Sequence, residues 1–92
     1  MSEKVIITVL GQDRIGIVAE ISSILYKNHI NILDITQKIL GDEIFTMTML
    51  VDISTGNIAF AQLKKELEEK GKELNLKIIA QHEDIFNFMH RI

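Results

Sequence analysis

The side chains that most often carry chemistry are few in this sequence and widely scattered. The histidines are His29, His82 and His90, cysteine is absent, and the serines lying among apolar residues are Ser22 and Ser23. Two metal ligands on one helix face want i,i+4 spacing, whereas His82 and His90 stand eight residues apart, so they read as surface or helix-end residues. Without cysteine there is no disulfide framework, thiolate nucleophile or cysteine metal site. Ser22 and Ser23 have no G-x-S-x-G elbow around them and no neighbouring base, which argues against a hydrolase. Asp13, Asp34 and Glu43 are the carboxylates that an acid/base pair would draw on, but their spacing brings no two of them together. No catalytic residue, metal ligand or cofactor is therefore assigned.

One stretch keeps a chemical possibility, "VLGQDRIGIVAEISSIL" at residues 9–25. Its glycines bracket a turn between an apolar strand and an apolar helix. The turn is too short for a P-loop, lacks the Lys-Ser/Thr ending, and lacks the three glycines of a dinucleotide fingerprint. A glycine-bracketed turn at a helix start is either ordinary punctuation or a seat for a small anion against unpaired backbone N–H groups.

The elements that must position this turn follow from periodicity. Lys4 to Leu10 is β-branched and stops at Gly11, a largely buried first strand. From Ile15 to about Asn28, Ile17, Val18, Ile21, Ile24 and Leu25 recur at helical spacing. "HINILDITQKIL" gives a second strand with Asn31, Leu33, Ile35, Gln37 and Ile39 on one side. Gly41-Asp42 at a tip separates it from "EIFTMTMLVDIS", so an antiparallel hairpin is expected. In that third strand Phe45, Met47, Met49, Val51 and Ile53 share the core side, and Thr46 and Thr48 the other. Ser54 to Asn57 is a turn offering cap candidates. Phe60, Leu63 and Leu67 carry a second helix, ended by Gly71, with Glu66 and Lys70 in the favourable i,i+4 order on a solvated face. "ELNLKIIAQ" supplies a fourth strand. "HEDIFNFMHRI" reads as a short terminal helix, with Glu83 and Asp84 in its first turn and Ile85, Phe86, Met89 and Ile92 as its stripe.

The order β-α-β-β-α-β plus a terminal helix predicts an α+β, ferredoxin-like sandwich: a four-stranded antiparallel sheet with two helices on one face. The 92 residues suit one domain, its core over about 3–82 and its terminal helix over about 83–92. Composition, 47% hydrophobic and 25% charged, is that of a soluble globular protein, and no apolar run approaches the roughly 20 residues of a membrane helix. No secretion signal is visible, so the cytoplasm is the default location. A net charge of -3 argues against nucleic acid, and the open sheet face lacks the aromatic platform that RNA-binding modules of this architecture use, Phe45 being on the core side.

Within "VLGQDRIGIVAEISSILYKNHINILDITQ", the G-x-D-x-x-G-I-V-A segment of Gly11 to Ala19 and the N-I-x-D-I of Asn31 to Ile35 resemble the ACT domain, a small regulatory module that in many members binds an amino acid. The likeness extends over nearly the whole chain. It is greatest to the stand-alone single-domain ACT proteins of bacteria and archaea, which are related to regulators of the glycine cleavage system. What the resemblance implies is a non-catalytic module, an unknown effector protein, and a ligand pocket at a subunit interface. Residue by residue it nominates Gly11, Gln12, Asp13, Arg14, Ile15 and Gly16, the helix start at Ile17 and Val18, and Asn31 opposite. The chemistry of these residues agrees. The N–H groups of Ile15 to Val18 can receive a carboxylate, Gly16 permits close approach, Arg14 offers a fork, and Asp13 or Asn31 can meet an ammonium. Equally, Asp13 can be a simple helix cap, Gly16 a packing glycine and Asn31 a turn residue.

The partner expected first is a second copy. The second and fourth strands lie at the sheet edges, so a homodimer can form by edge pairing or by packing open faces together. The terminal helix, with Phe86, Phe88, Met89 and Ile92, either touches that copy or packs on its own chain. The alternative to a ligand sensor is a ligand-free interaction module; an acylphosphatase-like enzyme stands further off, because the turn lacks that family's basic phosphate cradle.

Overall fold

A computed structural model of the chain describes residues 2–89. The elements run β1 (Lys4–Gln12), α1 (Ile17–Lys27), β2 (Asn31–Leu40), β3 (Ile44–Asp52), α2 (Phe60–Leu74), β4 (Leu76–His82) and α3 (Glu83–Met89). The strands form one antiparallel sheet in the order β2-β3-β1-β4, which is the expected ferredoxin-like βαββαβ fold with its edges at β2 and β4. The expectations for His90 and Ile92, and for the Met89 side chain, lie outside the described residues.

Alternation decides which face is core. Val5, Ile7 and Val9 of β1, Phe45, Met47, Met49 and Val51 of β3, and Ile78 and Ala80 of β4 are buried. Against them pack Ile17, Ile21, Ile24 and Leu25 of α1 and Leu63, Leu67 and Leu74 of α2, the stripes that helical periodicity picks out. Each fully buried aliphatic side chain here contributes about 2 kcal/mol of transfer free energy. β2 stands apart: all ten of its residues are exposed, because the two helices cover the β1, β3 and β4 side of the layer and leave this strand as an overhang.

Several local expectations are corrected. β1 does not stop at Leu10 but continues through Gly11 and Gln12, and the Asp13 N–H still donates to the Glu43 carbonyl at 2.6 Å. α1 begins at Ile17 rather than Ile15, since Gly16 takes a left-handed φ of 91° that breaks the helix at its N-cap. Gly71 does not end α2. The helix runs on to Leu74 and closes at Asn75 in a left-handed conformation, so β4 starts at Leu76 rather than Glu73. Gly71 is needed for proximity instead. A Cβ there would stand 2.7 Å from the Leu76 carbonyl oxygen, and a Cβ on Gly11 would stand 2.5 Å from Leu76 Cδ2. The two glycines let Leu76 draw the end of α2 against β1. No residue of the Ser54–Asn57 turn caps α2, whose N-cap is Ala59. Its Ser54 donates instead, through both N–H and hydroxyl, to Asp52 Oδ1, and the Glu3 N–H donates there as well. These donors hold the Asp52 carboxyl below the usual carboxylate range.

Glu66 and Lys70 do not pair along the helix. Glu66 lies 3.7 Å from Lys27 Nζ and accepts from the Asn28 side chain, while Lys70 bonds Glu20 of α1 and Glu73. The charged face of α2 thus ties α2 to α1. β2 breaks the simple alternation by a bulge between Ile32 and Asp34: Ile32 faces Val51 and Asn31 faces Asp52, so residues 31–32 sit on the opposite sides from those that the strand's later half implies.

Beyond α1 the His29 N–H donates to the Tyr26 carbonyl and the Ile30 N–H to the Leu25 carbonyl, a Schellman closure with His29 at φ 59° where glycine is usual. His29→Gly relieves a strained side chain and is expected to raise stability by about 0.5–1 kcal/mol, the left-handed penalty less glycine's extra unfolded-state entropy. A chemical denaturation midpoint at or below wild type contradicts this account.

Candidate functional site

The residues nominated for a ligand fall in two places. Gly11 and Gln12 are the last residues of β1, and Gln12 pairs with Ile44 across the sheet. Asp13, Arg14 and Ile15 form the turn and are exposed, Ile15 completely so. Gly16 follows as the N-cap. Ile17 sends its side chain into the core and Val18 is half-buried, so what these two offer outward is backbone. The Glu20 N–H donates to the Gly16 carbonyl, the first helical bond, and no side-chain cap closes this end. The N–H groups of the first turn therefore have no intrahelical partner and no side-chain cap.

Two adjoining open clefts flank the turn. One, of about 470 Å³, is lined by Gln12, Asp13, Arg14, Ile15, Leu74 and Asn75. The other, of about 400 Å³, runs along the start of α1 and includes Gly16, Ala19, Glu20 and Glu73. The topology explains the second wall. β4 is antiparallel to β1 and begins at Leu76, which pairs with Gly11, so the C-terminal turn of α2 must end beside the N-terminal turn of α1. Glu73, Leu74 and Asn75 were missed in the sequence because they belong to the helix-to-strand joint on the far side of the chain. The signal available for them was Asn75 itself, since asparagine tolerates the left-handed closure of a helix.

Asn31 is not part of this assembly within one chain. It opens β2 opposite Asp52, at the end of the sheet where β1 begins, while the turn lies at the end where β1 finishes. The length of β2 separates them by roughly 25–30 Å.

Other clusters are structural. A cleft of about 310 Å³ between α1 and α2 includes Glu20, Lys27, Glu66, Lys70 and Glu73 in its lining, of which Lys27–Glu66 and Glu20–Lys70 pair across the helices and Lys70–Glu73 along α2. Glu20 first, and Glu73 with it, hold the Lys70 ammonium above the ordinary lysine value. His82 Nε2 lies 2.9 Å from Glu3 Oε2, and its ring stacks on Phe60 with centroids 4.1 Å apart. Among the described residues no three His, Asp or Glu side chains come together as a metal-holding group, and no helix is long and apolar enough to cross a membrane.

Known proteins are similar to this chain in sequence and in overall shape. The chain is 58% identical over 89 residues to a UPF0237 protein of Methanocaldococcus jannaschii, covering 97% of this chain and 98% of that one. An ACT domain protein from Streptococcus pneumoniae superposes with a TM-score of 0.80 at 43% identity, covering 94% of this chain and 96% of the other. A candidate glycine cleavage system transcriptional repressor superposes at 0.78 with 26% identity, over 89% of this chain and 46% of its own. The family model of the ACT domain matches residues 3–81. By that match and by the identity to these relatives, the chain belongs to the ACT domain family.

Proposed function

We propose that this ACT domain is a non-catalytic, cytoplasmic regulatory module that binds a small amino acid, or a metabolite built like one, at a homodimer interface and passes that state to an effector protein. The observation that carries the reading is the meeting of opposite helix ends at the cleft beside Gln12–Gly16. The uncapped N-terminus of α1 presents the positive end of one helix dipole, and the C-terminal turn of α2 presents the negative end of the other. A zwitterion has the matching pair, a carboxylate for the N–H groups and an ammonium for the carbonyl end. Arg14 and Asp13 repeat the same two signs at the rim.

The displaced Asn31 supports the dimer. If β2 pairs with the β2 of a second copy across a two-fold axis, the strands run antiparallel. The partner's Asn31 then arrives at the Leu40 end of this strand, the end where Ile44 pairs with Gln12. The overhang favours such pairing: Ile32, Leu33, Ile35, Ile39 and Leu40 are all exposed, and each half-exposed side chain returns about 1 kcal/mol on burial. A regulatory role also agrees with the name of the repressor that this fold superposes on.

A thermal-shift panel of the twenty amino acids tests the reading. A ligand at a hundred times its Kd adds about 2.7 kcal/mol, which for a domain of this size raises Tm by about 13 °C. Gly16→Val, strained at a positive φ, and Asn31→Ala are each expected to weaken that ligand at least about tenfold, roughly 1.4 kcal/mol. A flat panel at millimolar concentration rejects ligand binding and leaves the second reading, a ligand-free dimerisation module. One observation favours that second reading: the missing Cβ of Gly11 is fully accounted for by Leu76, with no ligand required.

A further inference from the structure

The face of the sheet opposite α1 and α2 is covered along only half its length. Ile6 alternates onto this face yet is 8% exposed, and α3, the element that contacts β1 and β4 there, stands over that end. At the other end the cross-strand rows Lys77–Leu10–Thr46–Lys38 and Gln12–Ile44–Leu40 lie open. Leu10, Ile44, Leu40 and Ile79 are each 40–50% exposed on this face. α3 for its part turns Ile85 and Phe88 outward, Phe88 at 75% exposure. A single exposed aromatic is unremarkable on a soluble protein, but a cluster of four aliphatics beside an outward apolar helix is a contact surface.

The occupant follows from shape and charge. The charged side chains in the bare rows are both lysines, Lys77 and Lys38, while the first turn of α3 carries Glu83 and Asp84. We infer that two copies pack open face to open face about a two-fold axis near Thr8 and Thr48, the α3 of each lying on the Leu10–Ile44–Ile79 half of the other. A two-fold axis through the middle of the face exchanges its covered and bare halves, so one contact satisfies both copies and closes the assembly. Phe88 and Ile85 then meet aliphatic side chains, and Glu83 and Asp84 approach Lys77, which stands on β4, the strand from which α3 springs. The two α3 helices form a layer between the sheets. The β2 edges are left free, so this contact and edge pairing coexist in a particle of four chains.

Light scattering during size exclusion tests the contact without any ligand. Leu10→Glu and Phe88→Glu each place a carboxylate on the apolar contact and are expected to halve the assembled mass, with unfolding curves showing that the chains remain folded. Lys77→Glu is expected to raise the dissociation constant at least tenfold, and Lys77→Glu combined with Asp84→Lys to restore it. Unchanged mass in both Leu10→Glu and Phe88→Glu overturns the contact. A double variant no better than Lys77→Glu alone overturns the placement of α3. Failure of edge pairing gives a different pattern: a wild-type dimer that Phe88→Glu dissociates and Ile35→Pro leaves intact.

Discussion

Gly71→Val is expected to lower the stability of the fold by about 3 kcal/mol, at the upper end of what overpacking costs. The first atom of the new side chain meets the Leu76 carbonyl oxygen, and Ile78 Cγ1 lies 3.3 Å away. Backbone cannot rotate aside as a side chain can, so the end of α2 or the start of β4 has to move. Glycine in a helix interior ordinarily costs about 1 kcal/mol against alanine, so the substitution also brings a gain in helix propensity. That gain is smaller than the crowding and of the opposite sign. For a domain of this size the net loss lowers Tm by about 15 °C. Gly71→Ala is expected to fall between, and both variants should weaken any ligand of the turn, because Leu74 and Asn75 move with the joint. A melting temperature for Gly71→Val within two or three degrees of wild type, on the order of 0.5 kcal/mol, would show that the joint yields freely.

Ile35→Pro is expected to halve the assembled mass by a different route, through β2. The Ile35 N–H lies outside the β2–β3 ladder and bonds the Asp34 carboxylate at 2.9 Å. Proline at this position therefore removes an outward donor and places its ring on the outer edge, while the bonds to β3 remain. Loss of one strand-pairing register across a two-fold axis removes contacts in both copies at once, so a rise in the dissociation constant of 100-fold or more, roughly 2.7 kcal/mol, is expected. Hydrogen exchange should show β3 amides as protected as before. An undiminished mass would remove the β2 interface, and with it the route by which the partner's Asn31 reaches the turn.

The chain order of elements was legible because periodicity reports burial directly. Val5, Ile7 and Val9, or Ile21, Ile24 and Leu25, occur at the spacing of the faces that they bury. What misled was glycine. Gly11 looks like the end of a strand and Gly71 like the end of a helix, yet both lie inside their elements and answer to Leu76, a residue far from Gly11 in sequence. A single chain read locally carries no record of close approach between distant segments. Gly16 was legible as a bracket of the turn, but periodicity draws the helix through it from Ile15, and what it requires is its own φ rather than close approach or packing, since nothing lies within 4 Å of a Cβ there. The candidate turn was legible for the same reason, through its local composition. Its second wall of Glu73, Leu74 and Asn75 depends on the antiparallel start of β4 and was not. The i,i+4 pattern of Glu66 and Lys70 likewise named the right residues and the wrong partners, because α1 lies within reach of both.

The bulge in β2 gives the chain a form of variation that substitution cannot supply. Pairing with β3 fixes how Ile35, Gln37 and Ile39 face, and the buried Ile30 anchors the other end. Leu33 is the spare residue between them. Removing that one residue would keep both anchors, the ladder and the side on which Asn31 lies, because Asn31 already pairs with Asp52 and Ile32 with Val51. A single-codon deletion is therefore absorbed at this one place, whereas between Asp34 and Leu40 no spare residue exists and the same deletion turns the strand on one side of it to the opposite face.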